Sequence, residues 1–258
     1  MNDRSAVSLD SDLERRTLRG RLRRVVRRIL YSVLWVAIGL RIHHLERVPR
    51  DGAVLAVSNH LHNADPILTS IAFPRPVHYM AKKEAFAIPV IRAVLRAAGA
   101  FPVDRGKADR TAIRAAESRL RQDIAVGLFP EGTRSVTRSL QAALGGAGLL
   151  ALTSGAPVLP VVVTGTERLP LNGQKGKVQS SAPMPSPGHK GVRILFGEPF
   201  RVPREIDGRR VSSDEATEII MIEIARLLPP DYRGVYAERL QHETETIRRA
   251  IPINAADV

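Results

Sequence analysis

Short uncharged runs alternate along the chain with longer stretches whose apolar residues recur every three or four positions. The runs are AVLAVS at 53–58, VHYMA at 77–81, AVGLF at 125–129 and APVLPVVVTG at 156–165. Each is short and lacks charge, the pattern of a strand buried on both faces. GAFPV at 99–103 predicts a further short strand or turn, and VRILFGEPF at 192–200 a late strand. The spacing of Ile113, Ala116, Leu120 and Ile124 predicts a helix over 108–124. Residues 84–98 predict a helix that restarts at Pro89, and the Ala/Leu/Gly-rich stretch 141–154 predicts another. Asp65-Pro66 has the form of an N-cap followed by proline at the first helical position. Two C-terminal helices, about 213–228 and 235–250, are separated by Pro229-Pro230, and the Gly-, Ser-, Pro- and Lys-rich stretch 171–191 predicts a loop. Strands alternating with helices imply an α/β fold: a layered, mostly parallel or mixed sheet flanked by helices.

The N-terminus follows a different pattern. Residues 15–28 carry eight arginines and no acid. On a wheel of about 100° per residue, Leu18, Leu22, Val25, Val26, Ile29, Leu30 and Val33 share one arc. Arg16, Arg21, Arg23, Arg24, Arg27 and Arg28 lie opposite, while Arg15 and Arg19 break the pattern. This is the signature of a basic amphipathic helix of the kind that lies in a membrane interface. It runs into ILYSVLWVAIGL at 29–40, an uncharged stretch with Tyr31 and Trp35. That stretch is too short to span a bilayer, which takes roughly 20 residues. Arg41-Ile42-His43-His44 follows where a signal peptide would carry a small-residue cleavage site. The alternative is an ordinary helix packed on the domain with its arginines solvated.

Composition narrows the class. A chain of 258 residues can bury one large core. The absence of cysteine removes disulfides, thiolate metal sites and a cysteine nucleophile, and fits a reducing compartment. The net charge of +13 favours an anionic partner: nucleic acid, an anionic bilayer or an acidic carrier protein. Nucleic acid is disfavoured, because the arginines share their helix with a wide apolar stripe and no aromatic interleaving accompanies them.

Three groups of residues could carry chemistry. The first strand runs into SNHLHNADP, in which His60 and Asp65 are five apart. A continuous helix would put them on different faces. A loop turning into a helix lets the carboxylate fold back, fix the imidazole tautomer and leave the other ring nitrogen to take a proton from a hydroxyl. The alternative is a strand-end histidine beside a plain N-cap. His60 and His62 form an i,i+2 pair without a clear third ligand, so no metal site is expected. No G-x-S-x-G, P-loop, GxGxxG or HExxH occurs, so the dyad lacks a nucleophile of its own. That suggests direct attack by a substrate hydroxyl. The second group is GAFPVDRG at 99–106 and the third is FPEGTRS at 129–135. Arg105 and Arg134 each stand just past an apolar run, and a guanidinium suits a phosphate through paired N–H donors. As alternatives, Asp104-Arg105 is a surface ion pair and Glu131 an anchor for its turn.

In this order and spacing the groups resemble the glycerolipid acyltransferases, the 1-acylglycerol-3-phosphate acyltransferase (lysophosphatidic acid acyltransferase) family, over about residues 45–200. Asn59-His60 with Asp65 matches the family's first block; Gly99, Phe101, Val103, Asp104 and Arg105 the second; Phe129 to Ser135 the third; and Pro157-Val158-Leu159-Pro160 the fourth. The resemblance implies that His60, oriented by Asp65, deprotonates a lysophospholipid hydroxyl that attacks the thioester of acyl-CoA or acyl carrier protein. No cofactor takes part, and no acyl-enzyme forms. It also implies that Arg105 and Arg134 hold the acceptor's phosphate, with Glu131, Gly132 and Thr133 shaping the pocket and Lys82 assisting. Residues 1–44 are then an N-terminal membrane-contact segment, a helical pair over 15–40, and residues 45–258 the acyltransferase domain. The enzyme is expected to be peripheral or monotopic, on the cytoplasmic face of the membrane. Two departures stand out. His62 occupies a position where the family commonly has serine, and Ala143-Leu144-Gly145-Gly146 replaces a common Phe-Lys-x-Gly. The missing lysine keeps a different lysolipid or specialised lipid acceptor open. A thioesterase or a non-catalytic membrane-binding module are the more distant alternatives.

Overall fold

The computed structural model describes residues 18–87, 89–97, 99–103, 110–170, 172, 191–241 and 251–252. Arg105, Arg15 and Arg16 lie outside the described residues, as does most of the predicted loop 171–191. The chain begins with α1 (Leu18–Ile38) and β1 (Arg41–His43). It continues through β2 (Val54–Ser58), α2 (Asp65–Ala72), β3 (Val77–Lys82), α3 (Pro89–Ala97), β4 (Phe101–Val103), α4 (Arg110–Leu120) and β5 (Ala125–Leu128). Then come α5 (Gly146–Ser154), β6 (Val158–Thr164), β7 (Arg193–Phe196) and β8 (Phe200–Arg201). A small ribbon of β9 (Glu205–Ile206) and β10 (Arg209–Arg210) leads to α6 (Ser213–Leu227), α7 (Ala237–Gln241) and β11 (Ile251–Pro252).

The main sheet runs β1-β7-β6-β2-β5-β3-β4. Its centre, from β6 to β4, is parallel; β7 joins β6 antiparallel, β1 is parallel to β7, and β8 bridges the start of β6 to β11. The sheet is therefore mixed and mostly parallel, as the sequence pattern implies. Every residue of β2 is buried, and β6 is buried up to Val163, which is why both read as continuous apolar runs. Leu55, Val57, Val126, Val158 and Val162 face one layer built from α4, α5 and α6. Val54, Ala56, Leu159, Val161 and Val163 face the other, where α1, α2 and Phe73 lie. Each large side chain fully buried here contributes about 1.5–3 kcal/mol.

Several local outcomes differ from the sequence reading. Helix α2 begins at Asp65 with Ala64 in the N-cap position, so Asp65 sits in the first turn instead of capping it. The predicted helix 141–154 forms only from Gly146. The backbone N–H groups of Leu140, Gln141 and Leu144 are spent on Tyr232 O, Glu131 Oε2 and Pro130 O, which holds 140–145 in an irregular path. β1 enters the main sheet, so the N-terminal helical segment ends before residue 41 and not at 44; within it, 18–38 is one continuous helix and not a pair. Of the last predicted helix, α7 covers 237–241, and 242–250 lies outside the described residues. The capping box Ser212–Glu215 starts α6, each side chain bonding the other's backbone N–H.

Helix α1 packs through Tyr31, Leu34 and Ile38, and Arg27 donates to Phe73 O at 3.5 Å. Val25, Val26, Ile29, Val33 and Val36 fall on the opposite side of the helix and are exposed, Val36 by 64%. The arc that the wheel marked as apolar thus points away from the domain. Ile67, two residues past Asp65 on α2, is also exposed.

Helices α5 and α6 approach closely at Gly148. A Cβ there would stand 2.1 Å from Ser213 O and 2.6 Å from Thr217 N, both backbone atoms. Gly148→Ala is expected to cost about 1–3 kcal/mol through overpacking, a drop of several degrees in Tm. Gly146→Ala, whose Cβ would meet only Ile113 Cδ1 at 3.4 Å, should leave Tm nearly unchanged; thermal unfolding of the two variants checks the pair.

Candidate active site

The candidate residues gather at the carboxyl ends of parallel strands, where ligands bind in open α/β sheets. His60 follows β2, Lys82 ends β3, Glu131 to Arg134 follow β5, and residues 165–172 follow β6. Asn59 fixes the exit from β2: its side chain donates to Val163 O and accepts from Val163 N–H, both at 2.8 Å, in the manner of one more strand residue. The chain then reverses around Asp65. A single oxygen of that carboxylate, Oδ2, accepts from His60 Nδ1 at 3.0 Å, from Leu61 N–H at 2.6 Å and from His62 N–H at 2.7 Å. His60 and Asp65, on different faces of an ideal helix, are brought together by this turn. With Nδ1–H given to Asp65, the lone pair of the neutral imidazole sits on Nε2, the form a general base needs. The ring is further fixed by stacking on Phe129, 4.1 Å between centroids and 21° between planes.

The turn after β5 is tied to the same loop. Glu131 is buried, and its carboxylate accepts from His60 N–H at 2.8 Å and from Gln141 N–H at 3.0 Å. Ser135 N–H returns a bond to His60 O at 2.7 Å. Glu131 is thus an anchor joining the His60 loop to the turn, the alternative role open to it in the sequence. Gly132 adopts φ +65°, a left-handed conformation that favours glycine, and a Cβ there would come 2.8 Å from Leu144 Cδ1. Leu144, standing where the family commonly has lysine, therefore lies over this turn with 61% of its surface exposed. Thr133 is exposed, whereas Arg134 is only 5% exposed.

Arg134 Nη1 donates to Asn172 twice, to Oδ1 at 2.6 Å and to the main-chain oxygen. Asn172 Nδ2 donates to Leu61 O at 3.1 Å, and Asn63 Nδ2 donates to Asn172 O at 3.4 Å. His62 joins the same contact: Nδ1 accepts from Ala64 N–H, and Nε2–H donates to Pro170 O at 3.1 Å. Burial depresses the His62 pKa, assisted by Arg134 and opposed by Asp65 and the Pro170 carbonyl, so the ring is neutral as this bonding requires. Both its nitrogens are committed, and among the described residues no group of three His, Asp or Glu gathers around a metal position. Burial also raises the pKa of Tyr79, whose ring stacks on Phe129 at 5.5 Å, and keeps its phenol protonated. Arg105 lies outside the described residues, and Lys82 is placed by its backbone at the end of β3. Asn172, Pro170 and the stacking role of Phe129 escaped the sequence reading. The block containing Phe129 was its one legible trace; Asn172 sits in a loop and acts only through partners far away in the chain.

Comparison with known proteins gives the family and the fold. A family model described as Acyltransferase matches residues 39–164. The chain is similar to the 1-acyl-sn-glycerol-3-phosphate acyltransferase of Bacillus subtilis (strain 168), with 31% identity over 66% of this chain and 78% of that protein. It is also similar to the protein of the same name from Borreliella burgdorferi, with 31% identity over 52% of this chain and 54% of that one. Among solved structures, the crystal structure of the 1-acyl-sn-glycerophosphate (LPA) acyltransferase PlsC from Thermotoga maritima has the same fold. Its TM-score is 0.62 at 23% identity, covering 93% of this chain and 89% of that one.

Glu131→Gln replaces an acceptor oxygen with an NH2 group that would face a backbone N–H. The expected result is a loss of about 1–3 kcal/mol in stability together with reduced turnover, because the His60 backbone loses its brace. Thermal unfolding and steady-state kinetics on the same preparation check both; wild-type stability and turnover would remove Glu131 from this role.

Proposed function

The chain belongs to the acyltransferase family of the 1-acyl-sn-glycerol-3-phosphate acyltransferases, and on that premise we propose that it acylates a lysophospholipid, 1-acylglycerol 3-phosphate, to give phosphatidic acid. The donor is an acyl thioester of CoA or of acyl carrier protein. One observation carries the reading: an imidazole held through Nδ1 by a buried carboxylate at 3.0 Å, the tautomer that puts the ring's lone pair on Nε2. The acceptor hydroxyl attacks the thioester carbonyl while its proton passes to His60 Nε2. The tetrahedral intermediate collapses with rupture of the C–S bond, and His60 returns the proton to the departing thiolate. Asp65 stabilises the imidazolium formed between these steps and holds its orientation. Arg134, with Arg105 and Lys82, takes the acceptor's phosphate, which a buried guanidinium binds through charge-assisted hydrogen bonds. Gly132 and Thr133 form the turn that aims Arg134, and Glu131 braces it.

The same reading places the enzyme on an anionic membrane surface, on the cytoplasmic side where such thioesters are held. Support comes from α1, whose outward face is a stripe of exposed Val25, Ile29, Val33 and Val36 with Trp35 beside it. Ile67, on α2 two residues after Asp65, is exposed as well. The exposed apolar stripe along one face of α1 suits contact in the plane of the interface; no described helix is long and apolar enough to cross a membrane.

His60→Ala is expected to lower turnover about 10²–10⁴-fold with thermal stability and vesicle binding retained; turnover near the wild type would remove His60 as the base. Ile29→Asp with Val33→Asp is expected to abolish co-sedimentation with anionic phosphatidylglycerol vesicles, and undiminished sedimentation would refute the orientation of α1 toward lipid.

A further inference from the structure

The site as folded encloses its own chemistry. His60 is 3% exposed and Arg134 5%, although an acceptor has to reach both. Asn172 joins the two halves. Its side-chain and main-chain oxygens accept from Arg134 Nη1, and its amide nitrogen donates to Leu61 O, next to His60. From these contacts we propose that Asn172 is a positioning residue that competes with the acceptor: its oxygens occupy the donor of Arg134 that the acceptor's phosphate takes, so phosphate binding displaces it, whereas an uncharged headgroup leaves it in place. The inference rests on the reading that Arg134 binds that phosphate.

The physical argument compares two acceptors for one buried guanidinium. A buried Arg134 without acceptor oxygens pays its desolvation in full, so some group has to satisfy it before substrate arrives. A neutral amide does this adequately. A phosphate monoester does it better, because both partners of the hydrogen bond are then charged and such bonds are roughly twice as strong as neutral ones. Exchange also forfeits the Asn172–Leu61 and Asn63–Asn172 bonds. A headgroup with only hydroxyls offers no charge to offset that loss, and Asn172 keeps its place against it. Asn172 is therefore a resident partner of Arg134 that the acceptor's phosphate has to displace. It also lowers apparent affinity for the correct acceptor by the fraction of enzyme in which it holds Arg134.

The sign of the effect separates this role from simple bracing. With 1-oleoylglycerol 3-phosphate or uncharged 1-oleoylglycerol in mixed vesicles and oleoyl-CoA as donor, Asn172→Ala should lower the KM for the phosphate acceptor several-fold. The KM for uncharged 1-oleoylglycerol, which leaves Asn172 in place, should not change. Asn172→Asp puts a carboxylate on Arg134 and should raise that KM about tenfold or more, with donor KM unchanged. The effect of Asp should vanish when Arg134→Ala is present as well. If Asn172→Ala raises acceptor KM or leaves it unaltered while Arg134→Ala raises it, Asn172 is a brace and the proposal fails alone. If Arg134→Ala leaves acceptor KM unchanged, the phosphate reading of Arg134 falls and takes the proposal with it. Should the Asp variant fold poorly by its Tm, the Ala variant decides by the direction of its KM change.

Discussion

One carboxylate oxygen organises this site. Asp65 Oδ2 gathers the imidazole of His60 and the backbone N–H groups of Leu61 and His62, and so closes the reversal between β2 and α2. These N–H groups lie outside any ladder or helix, and without Asp65 they would be buried donors seeking partners. The constraint is therefore structural and chemical together: the bonds that make the turn foldable also set the histidine tautomer. Such a shared acceptor explains why the His60–Asp65 pair is built on a loop and yet held in one geometry.

Around it, three strand ends are cross-linked by polar side chains. Asn59 locks the end of β2 to β6, Glu131 ties the β2 loop to the β5 turn, and Asn172 spans from Arg134 back to Leu61. The Asn59 and Glu131 ties pair a buried polar side chain with backbone groups that would otherwise be unsatisfied, and half-buried Asn172 links the Arg134 side chain to Leu61 O, the arrangement in which polar networks rigidify a fold. The parallel strands supply a fixed frame, and the loops carry the chemistry that the frame positions.

The two departures from the family pattern acquire physical meaning in this setting. His62, in place of serine, is neutral and bridges the dyad loop to Pro170, extending the same network across the site. Leu144, in place of lysine, lays an apolar side chain over Gly132 at the turn that aims Arg134. Helix α1 shows a similar division between its faces. Tyr31, Leu34 and Ile38 are spent on the core, which leaves the valine and isoleucine stripe to whatever surface the protein meets.

The sequence by itself determined the layered α/β class, the buried strands β2, β5 and β6, and the strand-end placement of His60, Glu131 and Arg134. These follow from local patterns: uncharged runs for strands buried on both faces, and polar clusters where such runs stop. It also marked His60 and Asp65 as a pair, because a five-residue interval needs only a turn to close. Tertiary structure alone decided the rest. The helix expected over 141–154 starts only at Gly146, and in the irregular segment before it the Gln141 and Leu144 N–H groups bond Glu131 and Pro130. Strand β1 was drawn into the sheet by pairing with β7, about 150 residues away. Glu131 became a brace, and Asn172 a partner of Arg134, through contacts between segments far apart in the chain. Local propensity registers a residue's neighbours in sequence, whereas a buried polar atom is satisfied by whatever the fold places beside it.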